Sequence, residues 1–130
     1  MDVVRSILAV IAGYVVLSVL AIATTLALRA VLPEITAQPP PFNYALLILA
    51  YVTVFAVIAG YVTAVVARRA EVYHALALAV LLLLFGVLSV DSASGRGKLW
   101  FPVANGVLQF IAAIAGGCLR RARRSSAEHN

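Results

Sequence analysis

Cysteine, tryptophan and methionine each occur once in this 130-residue chain, and lysine supplies one of its ten basic residues. A single thiol, Cys118, excludes an intramolecular disulfide framework and a cysteine-built metal site. Charge is scarce as well. Only 12% of the residues are charged, against about 25% in an ordinary soluble domain, and 64% are apolar, against roughly 45–50%. A folded domain this small keeps much of its surface wet, so the composition excludes a water-soluble monomer. It equally excludes a disordered chain, which needs low hydrophobicity. There is no Ser–His–Asp set, no phosphate-binding glycine loop and no zinc-ligand spacing, and Gly95-Arg96-Gly97 is too short to form such a loop.

What is present is a set of long apolar runs. Charge is absent over residues 6–28, 35–67, 72–90 and 99–119, or 23, 33, 19 and 21 residues, the second run being broken early by Pro39, Pro40 and Pro41. About 20 apolar residues in a helix cross a hydrocarbon core of roughly 30 Å. None of the runs alternates with a period of two, which leaves helices as the spanning element. The pattern predicts four transmembrane helices over 6–32, 42–67, 72–90 and 99–119. Together they form a single all-α, up-down bundle of residues 1–130 with a basic tail at 120–130. The first run is longer than the 7–15-residue core of a signal peptide, so it reads as an uncleaved span.

The net charge of +5 would suggest nucleic acid in a soluble protein. Without a folded soluble domain or interleaved aromatics, it reads as topology instead, and no nucleic-acid partner is expected. With a cytoplasmic N-terminus, the inner side holds Arg5, Arg68, Arg69, Arg120, Arg121, Arg123 and Arg124, the outer side Arg29, Arg96 and Lys98. That bias predicts both termini inside, with Arg68, Arg69 and the arginines of the tail near anionic headgroups. Pro33 is expected to close the first helix, Pro39-Pro40-Pro41 to form a stiff extended segment, and residues 91–98 to form a flexible outer loop. The short link at residues 68–71 predicts that the second and third helices form an antiparallel hairpin. Trp100 and Phe101 suit the outer interface and Tyr73 the inner one.

Lipid offers no hydrophobic gain for helix association, so small residues that allow close approach become informative. Ala56, Gly60 and Ala64 repeat every four positions in the second helix, and the fourth pairs Ala112 with Gly116 and Ala113 with Gly117. The segment Ile11-Ala12-Gly13-Tyr14-Val15 recurs as Ile58-Ala59-Gly60-Tyr61-Val62. Gly13 and Gly60 lie at equal depth on antiparallel helices, which predicts a close crossing of the first two helices there.

Polar groups within the spans are the natural place to seek chemistry. No Asp, Glu, Lys or Arg lies in the middle of a run; Arg29 is near enough to the outer end to snorkel. The buried carboxylate of small multidrug antiporters is therefore missing from the first helix. Glu71 and His74, three residues apart, read as a proton-responsive or metal-binding pair, or else as an interfacial His bonded to Glu71 or a loop carbonyl. Glu71 also has Arg68 and Arg69 within reach of the turn. Asn105 and Gln109 share a face of the fourth helix, as interhelical glue or as lining of a polar path with Thr53, Thr63 or Ser18. Cys118 reads as a small packing residue.

The stretch Ala59-Gly60-Tyr61-Val62-Thr63-Ala64, the basic turn Ala67-Arg68-Arg69 and the run His74-Ala75-Leu76-Ala77-Leu78-Ala79-Val80 resemble a group of small uncharacterised bacterial four-span integral membrane proteins. The likeness continues into Lys98-Leu99-Trp100-Phe101 and Gly116-Gly117, covering about the last two-thirds of the chain. It implies a four-helix fold in the bacterial cytoplasmic (inner) membrane and supplies no activity. The expectation is a non-enzymatic structural or accessory protein, a small subunit or modulator of a membrane complex, with lipids and a homo-oligomer or larger complex as partners and no cofactor or metal. The alternative is a small oligomeric transporter or channel with a polar path near Asn105, Gln109 and His74.

Overall fold

A computed structural model describes residues 2–36, 41–93 and 100–130, without the side chains of residues 2, 36 and 89–93. It contains four α-helices, α1 (Asp2–Val31), α2 (Phe42–Ala67), α3 (Glu71–Ala93) and α4 (Trp100–Glu128), with a short 3-10 turn at Pro33–Thr36 after α1. All four are long and apolar enough to cross a membrane. The chain is a multi-pass integral membrane protein built as a four-helix bundle.

The helix ends follow local chemistry. Helix α1 begins earlier than the charge pattern suggests, at Asp2, and Arg29 in its last turn is matched to the helix dipole. It stops before Pro33, which opens the 3-10 turn. Helix α3 runs on through residues 91–93, which had read as loop, because no proline or glycine stops it there. The rest of that loop and Pro39-Pro40 lie outside the described residues, whereas Pro41 takes the extended geometry expected of it (φ −54°, ψ 149°). Helix α4 carries Pro102 in its first turn, where a missing N–H costs nothing. Its 29 residues continue through Arg120–Arg124 as helix; at 1.5 Å each they reach about 43 Å, so the basic segment is the projecting end of α4. Between α2 and α3, Arg68 and Ala70 adopt left-handed backbone (φ 60° and 49°), and the Arg68 N–H bonds the Ala64 carbonyl to cap α2.

Helix α4 packs along both α2 and α3, α1 packs along α2, and α1 barely touches α3. The circuit is α1–α2–α4–α3, with a seam between its first and last members. Buried apolar positions are mostly alanine, while large side chains such as Val15, Val19 and Ile22 face outward. That distribution is inverted relative to a soluble bundle, because hydrocarbon solvates the large side chains and close approach of backbones supplies the packing.

The glycines mark those approaches. A Cβ on Gly60 would collide with the backbone of Ala113 in α4, and one on Gly116 with the Val57 carbonyl and the Tyr61 amide in α2. One on Gly117 would strike Ala75 in α3. Gly13 instead faces Thr63, Ala59 and Leu78. Gly13 and Gly60 thus sit at matching depth without meeting: Ala59 and Thr63 form the α2 face toward α1, and Gly60 is turned onto α4. Ala56 and Ala64 are buried in the same helix, and Ala56 joins the core cluster of Leu17, Ala59, Leu78, Ala79, Leu82, Ala112 and Ala113.

Replacing Gly60 or Gly116 by Ala should each cost about 1–3 kcal/mol, the range for overpacking a close contact. At Gly106 the added Cβ would stand 3.6 Å from Gly86 Cα, an ordinary contact. Thermal melting in detergent should show both destabilised variants well below Gly106→Ala, which stays near wild type; equal melting temperatures would refute the backbone contact.

Candidate functional site

Polar side chains gather in two places, at the end of the bundle that holds the α2–α3 turn and in a notch deeper along the seam. At the basic end, the first turn of α3 places Glu71 with its side chain 6% exposed. It faces α4, where Arg124 Nη1 lies 3.4 Å and Arg120 Nε 4.0 Å from Glu71 Oε1. Arg120 Nε is buried without a hydrogen bond and meets the carboxylate only through charge attraction. Arg124 Nη1 also donates to the Arg68 carbonyl at 2.9 Å, and Arg124 Nε approaches Glu128 at 3.4 Å one turn on. Arg123 lies over the Tyr61 ring, 5.9 Å from its centroid. The extension of α4 is in this way tied to the α2–α3 turn, and of the arginines read from sequence as headgroup contacts, Arg120, Arg123 and Arg124 have protein partners as well.

Glu71 and His74 turn to different neighbours. His74 Nδ1 is 2.9 Å from the Ala70 carbonyl, which can only accept, so this nitrogen carries a proton. His74 Nε2 is 2.7 Å from Ser6 Oγ in α1. The loop-carbonyl alternative thus matches the geometry. The contact of His74 with Ser6 and that of Glu71 with α4 were invisible in the spacing of residues along α3. Arg5 Nε donates to the Val66 carbonyl at 3.1 Å, closing the α1 side of the same end. Among the described residues no group of three or more His, Cys, Asp and Glu side chains could hold a metal ion.

The deeper notch has a volume of about 350 Å³ and is lined mainly by α1, α3 and α4, with Val52 of α2. Gln109 Nε2 donates to Asn105 Oδ1 at 3.0 Å along α4, and both line the notch with Ser18, Tyr14 and Phe85. Tyr14 and Phe85 stack across the seam with centroids 5.5 Å apart. Of the other hydroxyls named for a path, Thr53 donates back to the Leu49 carbonyl at 2.5 Å. Thr63 is fully buried with no hydrogen-bond partner for Oγ1, which occupies the space a Cβ on Gly13 would take. Thr25 and Tyr51 share a hydrogen bond of 2.9 Å between α1 and α2, which the residue pattern did not flag. Cys118 is exposed at the bundle surface rather than packed inside it.

Comparison with protein-family models, with curated proteins and with solved structures finds no match. What stands of the resemblance is its coarse content, a small four-span membrane protein.

Replacing Glu71 by Gln should release the end of α4, because the arginines lose the charge they converge on while the glycine contacts remain. Limited trypsin digestion of purified protein should then cut at residues 120–124 several-fold faster, with little change in melting temperature. Unchanged cleavage would show that Glu71 does not hold the extension.

Proposed function

We propose that this protein is a non-enzymatic accessory or structural component of the bacterial cytoplasmic membrane, with both termini in the cytoplasm. The observation that carries this reading is the closed contact of α2, α3 and α4. Where Gly60 meets Ala113, Gly116 meets Val57 and Gly117 meets Ala75, no space remains between backbones for a conducting path. No charged residue stands at mid-depth in these helices to couple an ion or to act as an acid or base. The orientation is supported by the clustering of Arg5, Arg68, Arg69 and Arg124 about one pocket at the basic end.

Such a component acts through its faces. On α1, Ile11, Val15, Val19, Ile22 and Leu26 form one exposed stripe at helical spacing along most of the span. A membrane subunit or a second copy of this chain is the partner that such a stripe suits. The notch at Asn105 and Gln109 favours the second reading, a small oligomeric transporter whose pathway runs between copies rather than through one bundle.

The two readings separate in paired measurements. A photocrosslinking residue at Val19 should give one discrete adduct in native membranes, and liposomes containing the purified protein should pass no more solute than empty ones. Absence of any adduct, or a solute flux that falls when Asn105 becomes Leu, would overturn the accessory role.

A further inference from the structure

At the basic end, Arg5, Arg68, Arg69 and Arg124 line a bowl of about 600 Å³, together with Ser6 and His74, and among the described side chains no carboxylate lines it. The cations come from three separate elements: the start of α1, the α2–α3 turn and the end of α4. Two are fixed in place by backbone carbonyls. Arg5 gives Nε–H to Val66 and Arg124 gives an Nη1–H to Arg68. A guanidinium has five N–H donors, so each keeps others for a further acceptor. Among the described side chains, Arg5, Arg68 and Arg69 have no carboxylate within 4.0 Å. A cavity lined by several guanidinium groups, two of them anchored, suits an oxyanion such as a phosphodiester, which guanidinium forks recognise well.

The bowl is not isolated. Ser6 and His74 also belong to a groove of about 420 Å³ that runs along the α1–α3 seam toward the membrane interior. Its remaining walls are Ile7, Val10, Ile11, Tyr73 and Ala77, which are apolar except for the tyrosine hydroxyl. A cationic bowl that shares Ser6 and His74 with an apolar groove has the polarity profile of one kind of molecule, with an anionic head and a hydrocarbon tail. A free phosphate would leave the groove unused, and a peptide would need to bury its amides along an apolar wall.

We propose that this seam is a binding site for an anionic glycerophospholipid. Its phosphodiester lies among Arg5, Arg68 and Arg69, its glycerol beside the Ser6–His74 contact, and one acyl chain along Ile7, Val10 and Ile11. The site is separate from the arginine face of α4, where Arg121 and Arg123 lie outside the bowl. It requires no partner protein, so it stands or falls independently of the accessory role.

The test uses the full-length protein in detergent, titrated with phosphatidylglycerol, phosphatidylcholine or inorganic phosphate, with bound lipid counted by native mass spectrometry and stabilisation read by thermal shift. Phosphatidylglycerol should bind and stabilise at concentrations where the other two do not. The double variant R68Q/R69Q, which removes two exposed charges, should weaken it about thirtyfold, or about 2 kcal/mol. R121Q/R123Q removes equal charge outside the bowl and should leave affinity within about twofold of wild type. Ala77→Phe, at an exposed groove position, should fill the groove and reduce lipid binding while the protein stays folded. Equal binding of phosphatidylcholine, or equal weakening by both arginine pairs, would reduce the site to general surface attraction and overturn the proposal. A response to inorganic phosphate as strong as that to phosphatidylglycerol, or full binding by Ala77→Phe, would overturn it by removing the acyl chain's part.

Discussion

Helix α4 approaches α2 so closely that main chain meets main chain, and the rest of the bundle is arranged around that approach. In a bilayer, moving a leucine from lipid to a helix interface gains little, so association relies on dispersion and weak polar contacts that fall off steeply with distance. Glycine at positions 60 and 116 removes the side chain that would hold α2 and α4 apart. At about 100° per residue, Gly106, Ala113, Gly116 and Gly117 fall within one stripe about 100° wide on α4. One edge of the stripe faces α2 and the other faces α3, which seats α4 in the groove between them. Three helices of the described bundle are therefore fixed by backbone shape.

Helix α1 is held differently. It packs Ala9, Gly13 and Leu17 inward, and it adds polar ties spread along its length. Arg5 bonds Val66, Ser6 contacts His74 and Thr25 bonds Tyr51. Hydrogen bonds of this kind contribute only about 0.6–2 kcal/mol each within a membrane. Toward α3 it has the Ser6–His74 contact, the Tyr14–Phe85 stack, and Gly13 and Leu17 near Leu78, with few contacts beyond these. The seam is thus the least tightly packed boundary in the bundle, and it is where the polar notch, the apolar groove and the basic bowl are found.

The number of helices, their approximate extents and the importance of small residues were legible in the sequence, because charge gaps and four-residue spacings register exposure to lipid and close approach directly. Partner choice was less legible. Gly60 could be placed at the depth of Gly13, yet which way it pointed depended on where α4 sits, and a single helix's spacing carries no such information. The same limit separates Glu71 from His74. Three residues apart on one helix, they look like a pair until α4 is brought to one side of α3 and α1 to the other. The end of α4 escaped a reading based on hydropathy because Arg120–Arg124 is polar, although arginine and alanine are good helix formers and the spacing of Arg124 and Glu128 supports a helical turn.

Orientation and lipid contact are usually argued from the same basic residues by counting them, but in this bundle the arginines are not equivalent. Arg120 and Arg124 converge on the buried Glu71 and brace the end of α4, Arg123 covers Tyr61, and Arg5 is bound to the α2 backbone. Arg68 and Arg69 remain on the turn with no carboxylate of a described side chain within 4.0 Å, beside a seam whose two helices make few contacts. A ligand that contacts both α1 and α3 there is bound only while the two are apposed, so by mass action its occupancy stabilises that arrangement. Lipid composition then becomes a variable that sets how firmly α1 is docked. The glycine contacts lie deeper in the bundle, away from that ligand, whereas Arg124 belongs both to the bowl and to the Glu71 contact and couples the two.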